Sequence, residues 1–241
     1  MSASDHATSI ERSVKSGAEG SKPVLAATVI LLRDGRDGLE TLMLKRNSKI
    51  AFGGMWVFPG GRIDPADWEG VPAEDDLAAS RRAAAREALE ECGLPVDAEG
   101  MHPFSHWTPP PTTPRRFLTW FFAAKAASGE VAIDYGEIHE SDWMRPLDAL
   151  GRRDAGEIEV APPTFVSLSE LCGFDSVETA LASVSLRQPE RFETRIGLAD
   201  EGPVCLWHGD AGYEAADPKL PGPRHRLTMQ KKSTWTYDRT P

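Results

Sequence analysis

The sequence predicts an α/β fold with a mixed sheet, and three observations lead to that prediction. Residues 24–32 (VLAATVILL) are apolar and rich in β-branched side chains, as expected of a buried strand. Turn residues follow, and the alternating stretch at 39–46 (LETLMLKR) predicts a returning strand. From about Asp75 to Cys92 the chain is rich in alanine and free of Gly and Pro, which predicts a helix that ends at Gly93.

The other core elements are expected on either side of this helix. The stretch 53–64 (GGMWVFPGGRID) is short strand material between two glycine pairs. Its second pair, Gly60-Gly61, indicates a sharp turn or a close approach of the backbone to another group. Later strands are expected at 115–125 and at 140–146, and the second of these leads into a helix.

The chain is expected to form one domain with a short tail. Residues 1–22 are polar, and we expect them to be mobile and disordered. Residues 23–241 contain no linker long enough to separate independent domains. Within them we expect a core over about 24–150 and an extension over about 151–241. The extension is predicted to be helical over 162–188 and irregular beyond it.

Composition limits the partners. The chain has 241 residues with 37 acidic and 27 basic side chains, a formal net charge of −10. Such a surface repels nucleic acid and anionic membrane, and the longest apolar run is too short to cross a bilayer. The three cysteines are dispersed, which favours free thiols in a reducing cytoplasm. We therefore expect a cytoplasmic protein without nucleic-acid or membrane partners; a homodimer is left open.

The predicted helix carries three carboxylates within five positions, Glu87, Glu90 and Glu91. At about 100° per residue, Glu90 falls roughly 60° to one side of Glu87 and Glu91 about 40° to the other. Crowding like charges on one face is unfavourable, and the single pair of Arg86 with Glu90 offsets only about 0.5 kcal/mol. The cluster therefore predicts a further bound cation, and hard divalent ions such as Mg²⁺ prefer such oxygen ligands. A solvated acidic face is the alternative for this stretch taken alone.

The segment REALEECGL at 86–94 resembles the second half of the Nudix box, whose pattern ends Arg-Glu-hydrophobic-x-Glu-Glu-x-Gly-hydrophobic. Ala88 is a weak stand-in for the hydrophobic position. VFPGGRID at 57–64 is similar to the beginning of that box, and ESDWMRPLDAL at 140–150 to the segment that closes many Nudix cores. The resemblance covers about residues 24–150 and implies an α/β/α sandwich around a mixed sheet. The matching box positions are Arg86, Glu87, Glu90, Glu91, Gly93 and Leu94.

Two features depart from the family pattern. The 24 residues between Gly61 and Arg86 make the box longer than usual. The Glu expected eight residues before the Arg falls at Ala78, so that acid is missing or is replaced by a neighbour. The neighbouring acids are Glu74, Asp75 and Asp76. The enlarged box, together with TPPPTTPRRFLTWFF downstream, resembles the Nudix branch that includes coenzyme A diphosphatases.

Carried over position by position, the resemblance implies a divalent-metal site for Mg²⁺ or Mn²⁺. Glu87 and Glu91 would be the main ligands, Glu90 would assist, and the backbone carbonyl of Gly60 would complete the shell. Arg86 would orient a carboxylate rather than react.

The resemblance also implies a general base, for which the box candidate is Glu87. An acid from the later loop, Glu137 or Glu140, is the rival. Arg115 and Arg116 lie between a proline-rich loop and an aromatic strand. They are candidates for a clamp on substrate phosphate, because an Arg fork suits paired oxygen atoms. Surface arginines that balance an acidic protein are the competing interpretation.

The activity that the resemblance implies is hydrolysis of a nucleotide-containing diphosphate. Coenzyme A or an acyl derivative is the first candidate substrate; nucleotide sugars, dinucleoside polyphosphates and nucleoside triphosphates are the others. A different hypothesis, motivated by Ala78, is a Nudix-fold module that binds a nucleotide without cleaving it. The retained glutamates argue against it, because a pure binder gains nothing from a repulsive cluster.

Overall fold

The computed structural model describes residues 3–16, 20–47, 53–230 and 234–240. The helices in these ranges are α1 (Ala3–Ser16), α2 (Asp76–Cys92), α3 (Pro146–Asp154), α4 (Pro162–Leu171) and α5 (Val177–Leu186), and a 3-10 turn spans Pro65–Trp68. The strands are β1 (Val24–Gly35), β2 (Gly38–Arg46), β3 (Trp56–Val57), β4 (Gly60–Arg62), β5 (His102–Thr108), β6 (Phe117–Lys125), β7 (Ile138–Met144), β8 (Glu190–Glu193), β9 (Arg195–Leu198), β10 (Pro203–Leu206), β11 (Arg224–Thr228) and β12 (Thr236–Thr240).

The main sheet is mixed, as the sequence predicts. Its strands run in the order β3-β2-β1-β6-β5-β8, while β4 pairs with β1 and β7 pairs with β2. The pairs β1–β6 and β5–β8 are parallel, and the others are antiparallel. This arrangement confirms the α/β fold class and the predicted core strands.

Both faces of this sheet are covered. Helix α2 lies on one face, where Ala83, Ala84 and Ala88 are fully buried. Their small side chains allow the helix axis to approach β1 and β4 closely, which brings the acidic face of α2 to the Gly-Gly turn. The opposite face packs an aromatic core against the C-terminal part of the chain, where the rings of Trp107 and Phe192 stack with centroids 3.9 Å apart.

The N-terminal segment differs from the expected mobile tail. Residues Ala3–Ser16 form α1, in which Ala7 is fully buried and Ile10 packs on the core. The Ser13 hydroxyl donates to the carbonyl of Thr112, and the N–H of Gly20 donates to the carbonyl of Pro111 at 2.7 Å. The prediction fails over Ala3–Ser16 because a few apolar residues at helical spacing are enough to form a helix when the core and the proline-rich loop provide a surface for it to pack on.

The C-terminal extension also differs in part. Helices α4 and α5 confirm its predicted helical portion, but the portion expected to be irregular contains a four-stranded antiparallel sheet in the order β12-β11-β10-β9. Two strands of the main sheet, β5 and β8, were not predicted either. These strands are only four to seven residues long, so their pairing is decided by partners distant in sequence. Among the described residues, no helix has the length and apolar character needed to span a membrane.

One buried ion pair supports the C-terminal sheet. The carboxylate of Asp210 accepts hydrogen bonds from Nε and Nη2 of Arg226, both at 2.6 Å. It also accepts from the backbone N–H groups of Gly212 and His225, at 2.7 and 2.9 Å. Burial by itself would raise the pKa of Asp210, but the guanidinium and the two N–H donors outweigh it and lower that pKa.

We expect Asp210→Asn to lower the free energy of unfolding by about 3 kcal/mol, because it leaves the Arg226 charge buried without its partner. Urea unfolding followed by tryptophan fluorescence measures this change. The stability contributed by Asp210 is present above its ordinary pKa of 3.8 and is lost as the pH falls through the lower folded-state pKa, so this acid sensitivity should be absent in the variant. Asp200→Asn, at an exposed position, is the matched control. A variant within about 0.5 kcal/mol of the parent would contradict the prediction.

Candidate active site

Helix α2 and the turn before it position the acidic cluster. The side chain of Asp75 caps the helix by accepting from the N–H of Ala78 at 3.0 Å. The helix ends at Gly93, whose φ of 71° is left-handed and therefore suits glycine. Both ends lie where the sequence predicts them. The loop that follows returns to the helix end, since the N–H of Asp134 donates to the carbonyl of Glu91 at 3.2 Å.

The structure seats two of the three glutamates against the Gly-Gly turn. Glu91 is 3% exposed, and its Oε2 accepts from the N–H of Gly60 at 2.9 Å. Burial raises the pKa of Glu91 to about 7, although the hydrogen bond from Gly60 and the charge of Arg46 act in the opposite direction. Burial also raises the pKa of Glu87. Both carboxylates are therefore held where an unneutralised negative charge is unfavourable.

The absence of a side chain at Gly61 makes room for Glu87. A Cβ atom at this position would lie 2.2 Å from Oε1 of Glu87, which is far inside van der Waals contact. The predicted close approach of the backbone at this glycine pair is thus an approach to a carboxylate.

We expect Gly61→Ala to reduce hydrolysis of the substrate at least about tenfold, because the added methyl group displaces the Glu87 carboxylate. The loss of stability should stay below about 1 kcal/mol, because the methyl group meets only the far end of the Glu87 side chain, which can turn away. Steady-state kinetics and thermal unfolding measure the two effects. The control is Gly151→Ala in α3, where an added Cβ meets nothing within 4 Å. An unchanged rate in a folded Gly61 variant would show that Glu87 has no functional role at this place.

The guanidinium of Arg86 contacts several members of the cluster. Its Nη1 donates to Oε1 of Glu87 and to Oε2 of Glu90, both at 3.0 Å. Its Nη2 donates to Oδ2 of Asp67 and to the carbonyl of Arg62, also at 3.0 Å. The bond to Asp67 is the largest cause that raises the pKa of the Arg86 guanidinium. Glu90 is mostly exposed, and its described contact with the cluster is the ion pair with Arg86.

Asp67 is a site residue that sequence reasoning missed. It lies in the 3-10 turn of the enlarged box and is buried. Its Oδ2 also accepts from the N–H of Asp64 at 2.8 Å, which closes the turn around the carboxylate. The DPADW stretch was the available signal, because a turn with an acid three residues after Asp64 is typical of such capping.

Asp67, rather than an acid beside Ala78, is the buried carboxylate that contacts Arg86. Asp75 caps α2, and Oδ2 of Asp76 accepts from the indole N–H of Trp120 at 3.2 Å. Ala78 precedes Glu87 by nine residues, about 13 Å along the helix. Glu74 precedes α2 and is exposed. The described contacts bring none of these three neighbouring acids to the glutamates.

Arg46 is a second residue that the sequence did not single out. It lies at the end of β2, and its Nη1 is 3.4 Å from the carbonyl oxygen of Gly60 and 3.5 Å from Oε1 of Glu91. Its Nη2 is 2.7 Å from Oε2 of Glu137. The negative charge of Glu137 contributes to the raised pKa of Glu91 and of Glu87. Glu137 is therefore part of the cluster.

Glu140, the other loop acid, lies elsewhere. It is on β7 opposite Lys45, whose ammonium group is 3.2 Å from Oε2 of Glu140. The structure thus brings Glu137 to the cluster, whereas Glu140 makes an exposed ion pair with a neighbouring strand.

The two candidate clamp arginines are also remote from the glutamates. Arg115 is exposed, and Arg116 lies just before β6, where its N–H donates to the hydroxyl of Ser21. Phe117 pairs with Val24, whereas Gly60 pairs with Thr28, so Arg116 is displaced by about 15 Å along β1 from the Gly-Gly turn. The described contacts do not join either arginine to the site.

The donor set suits a hard divalent cation. Glu87, Glu91 and the Gly60 carbonyl supply only oxygen atoms, which Mg²⁺ and Mn²⁺ prefer. Among the described residues no group of three or more His, Cys, Asp or Glu side chains is assembled at ligand spacing, and guanidinium groups contact the carboxylates instead. Burial raises the pKa values of Glu87 and Glu91, and a bound cation would offset that effect.

Comparisons with known proteins identify the family of the chain. The NUDIX domain family model matches residues 22–163, more than half of the chain. The chain is 30% identical over 123 residues to the acyl-coenzyme A diphosphatase NUDT19 of Xenopus laevis, covering 49% of this chain and 32% of that protein. It is 29% identical over 195 residues to the acyl-coenzyme A diphosphatase NUDT19 of Gallus gallus, covering 71% of this chain and 50% of that protein.

A solved structure shows the same architecture. The crystal structure of a NUDIX hydrolase from Alicyclobacillus acidocaldarius superposes with a TM-score of 0.62 at 25% identity, covering 70% of this chain and 99% of that one. The family match includes β1, the Gly-Gly turn, the enlarged box and all of α2. On this evidence the chain belongs to the Nudix family.

Proposed function

We propose that this protein is a divalent-metal-dependent pyrophosphohydrolase that cleaves the diphosphate of coenzyme A or an acyl-coenzyme A. The observation that carries the proposal is the seating of Glu87 and Glu91 against the Gly60-Gly61 turn, with burial that raises both pKa values. Such a cluster is unfavourable for a structural or binding role alone, because its charges repel one another in a partly dry site.

The choice of coenzyme A rests on two supports. Two relatives bear the name acyl-coenzyme A diphosphatase, and the enlarged box resembles that branch of the family. The chain spans about a third to a half of the length of these relatives, so their activity comes to this chain as a proposal. Nucleotide sugars, dinucleoside polyphosphates and nucleoside triphosphates are the other substrates to be tested.

We assign the cation to Glu87, Glu91 and the Gly60 carbonyl, with Glu90 assisting from the exposed side. A bound Mg²⁺ or Mn²⁺ supplies charge neutralisation of the diphosphate and a lower pKa for a coordinated water. Arg86 holds Glu87 and Glu90 in place through two hydrogen bonds and is itself held by Asp67. Each of these contacts orients oxygen atoms rather than reacting.

The proton from the attacking water goes to a carboxylate. We assign this role to Glu137, because its charge is felt by Glu87 and Glu91 and its side chain is about half exposed to incoming water. Glu87 is the alternative base. Glu140 is disfavoured because it lies on β7 opposite Lys45, where none of its described contacts joins it to Glu87 or Glu91.

The test is hydrolysis of a substrate panel by the full chain with Mg²⁺ or Mn²⁺. The panel contains coenzyme A, an acyl-coenzyme A, ADP-ribose and nucleoside triphosphates, and mass spectrometry identifies the phosphomonoester products. Coenzyme A or its acyl derivative should have the highest kcat/KM, and EDTA should abolish turnover. If these compounds raise the unfolding temperature but are not hydrolysed even at high metal concentration, the proposal is wrong. The protein would then be a module that binds a nucleotide without cleaving it.

A further inference from the structure

The side chain of Arg46 lies among the oxygen atoms that the proposed function gives to a divalent cation. Its Nη1 approaches the Gly60 carbonyl oxygen at 3.4 Å and Oε1 of Glu91 at 3.5 Å. Its Nη2 makes a closer contact, 2.7 Å, with Oε2 of Glu137. One guanidinium therefore bridges the turn, helix α2 and the loop before β7.

This guanidinium is largely removed from solvent. The Arg46 side chain is 16% exposed, and its Nε is buried without a hydrogen-bond partner within the described residues. Among the described contacts of this guanidinium, the ionic hydrogen bond from Nη2 is short, while the Nη1 contacts are long. The side chain is thus held mainly by the charge of the surrounding oxygens.

The backbone of Arg46 is fixed independently of its side chain. The N–H of Arg46 donates to the carbonyl of Met55 at 3.0 Å, and its own carbonyl accepts from the N–H of Gly54 at 2.9 Å. The β2–β7 pairing shifts register between Lys45 and Arg46. The position of the backbone at the end of β2 is therefore set by these pairings and not by the side-chain contacts of Arg46.

We infer that Arg46 is a positioning residue that acts as an internal counter-ion: it holds Glu91, Glu137 and the Gly60 carbonyl together in the metal-free protein and competes with the divalent cation for their oxygens. The inference rests on the proposed function, because it assumes that a cation binds to Glu91 and Gly60. Two positive groups on the same oxygens repel each other, so binding of the cation displaces the guanidinium.

The test is Mn²⁺ binding to the full chain by calorimetry, without substrate, for the parent and three variants. Arg46→Met should bind Mn²⁺ about tenfold more tightly, because the competing charge is gone. Its metal-free form should unfold at a lower temperature. Arg46→Lys keeps a positive charge and should stay within about threefold of the parent. Lys45→Met removes the adjacent cation, which pairs with Glu140, and should leave the affinity within about twofold.

A second measurement covers the case in which Arg46→Met does not fold. The Nε–H resonance of Arg46 in the parent protein, assigned by its loss in Arg46→Lys, should shift on titration with Mg²⁺. The resonance of Arg145, which pairs with Asp148 on the surface, should not shift.

The outcomes separate the inference from the proposed function. If the parent binds Mn²⁺ and hydrolyses substrate, but a folded Arg46→Met binds the metal no more tightly, the counter-ion role is wrong and the proposed function stands. If the Nε–H resonance of Arg46 does not shift while the metal binds, the counter-ion role is likewise wrong and the proposed function stands. If the parent neither binds Mn²⁺ nor hydrolyses any substrate, the proposed function itself fails.

Discussion

Glu91→Gln is expected to lower kcat for the hydrolysis reaction about 10³-fold in a protein that remains folded. A bound metal is worth several kcal/mol of transition-state stabilisation, and each 1.4 kcal/mol corresponds to about a tenfold change in rate. The neutral amide keeps an oxygen to accept the N–H of Gly60 but removes the charge that a divalent cation requires. Steady-state kinetics with saturating Mg²⁺ measures the effect.

The same substitution should stabilise the metal-free protein at neutral pH. The folded-state pKa of Glu91, about 7, lies above its ordinary value of 4.5 because the carboxylate is buried. The stability that this proton contributes is complete below pH 4.5 and is lost as the pH rises to about 7. In EDTA at pH 8, Glu91→Gln should therefore exceed the parent in unfolding free energy by up to about 3 kcal/mol, and near pH 4.5 the two should be equal.

The matched control is Glu90→Gln, one residue earlier on the same helix. Glu90 is largely exposed and contacts only Arg86 among the described site residues, so its loss should reduce the rate less than about tenfold. If folded Glu91→Gln retained more than a tenth of the parent rate, the central ligand assigned to the site would be wrong.

Arg86→Met is expected to have the second largest effect, on both stability and rate. It removes the partner of the buried Asp67 and a positive charge that compensates for the burial of Glu87. We therefore expect the free energy of unfolding to fall by about 3 kcal/mol. Residues that orient metal ligands typically contribute about 10- to 100-fold to activity. Denaturant unfolding and steady-state kinetics measure the two losses.

Two further proteins show whether this loss comes from the ion pair. Arg82→Met, one turn earlier on α2, removes only an exposed contact with the Glu69 carbonyl and should cost less than about 1 kcal/mol. The double variant Asp67→Asn/Arg86→Met should recover part of the lost stability, because no unpaired buried charge remains. Equal stability of Arg86→Met and the parent would contradict the role of Asp67 as its partner.

Local sequence signals were sufficient for the core elements. Helix α2 begins at an aspartate cap and ends at a left-handed glycine, both of which are encoded within a few residues. Strands β1 and β2 follow from β-branched and alternating residues. The fold class and the Nudix resemblance were confirmed for this reason.

Short or polar elements could not be predicted from such local signals. Helix α1 depends on a docking surface from the proline-rich loop and the core. Strands β5 and β8 and the C-terminal sheet depend on partners far away in the chain. In each case the stabilising contact is tertiary, so local sequence signals do not decide whether the element forms.

The candidate site shows the same division. Glu87, Glu90 and Glu91 were identified from spacing on one helix face, and the role of Arg86 was implied by the family resemblance. Asp67 and Arg46 were missed, because they reach the cluster from the enlarged box and from the end of β2. The choice between Glu137 and Glu140 needed the register of β7 against β2, which places Glu140 opposite Lys45.

The sequence by itself determined the family, the acidic face of α2 and the glycine pair that accommodates it, since each is a matter of spacing within one short segment. The tertiary structure alone decided which charges surround that face. Electrostatic neutralisation depends on distances of a few ångströms between groups far apart in the chain, such as Asp67 with Arg86, 19 residues apart, and Arg46 with Glu91, 45 residues apart. Those distances exist only after the sheet, the helix and the loop have packed together.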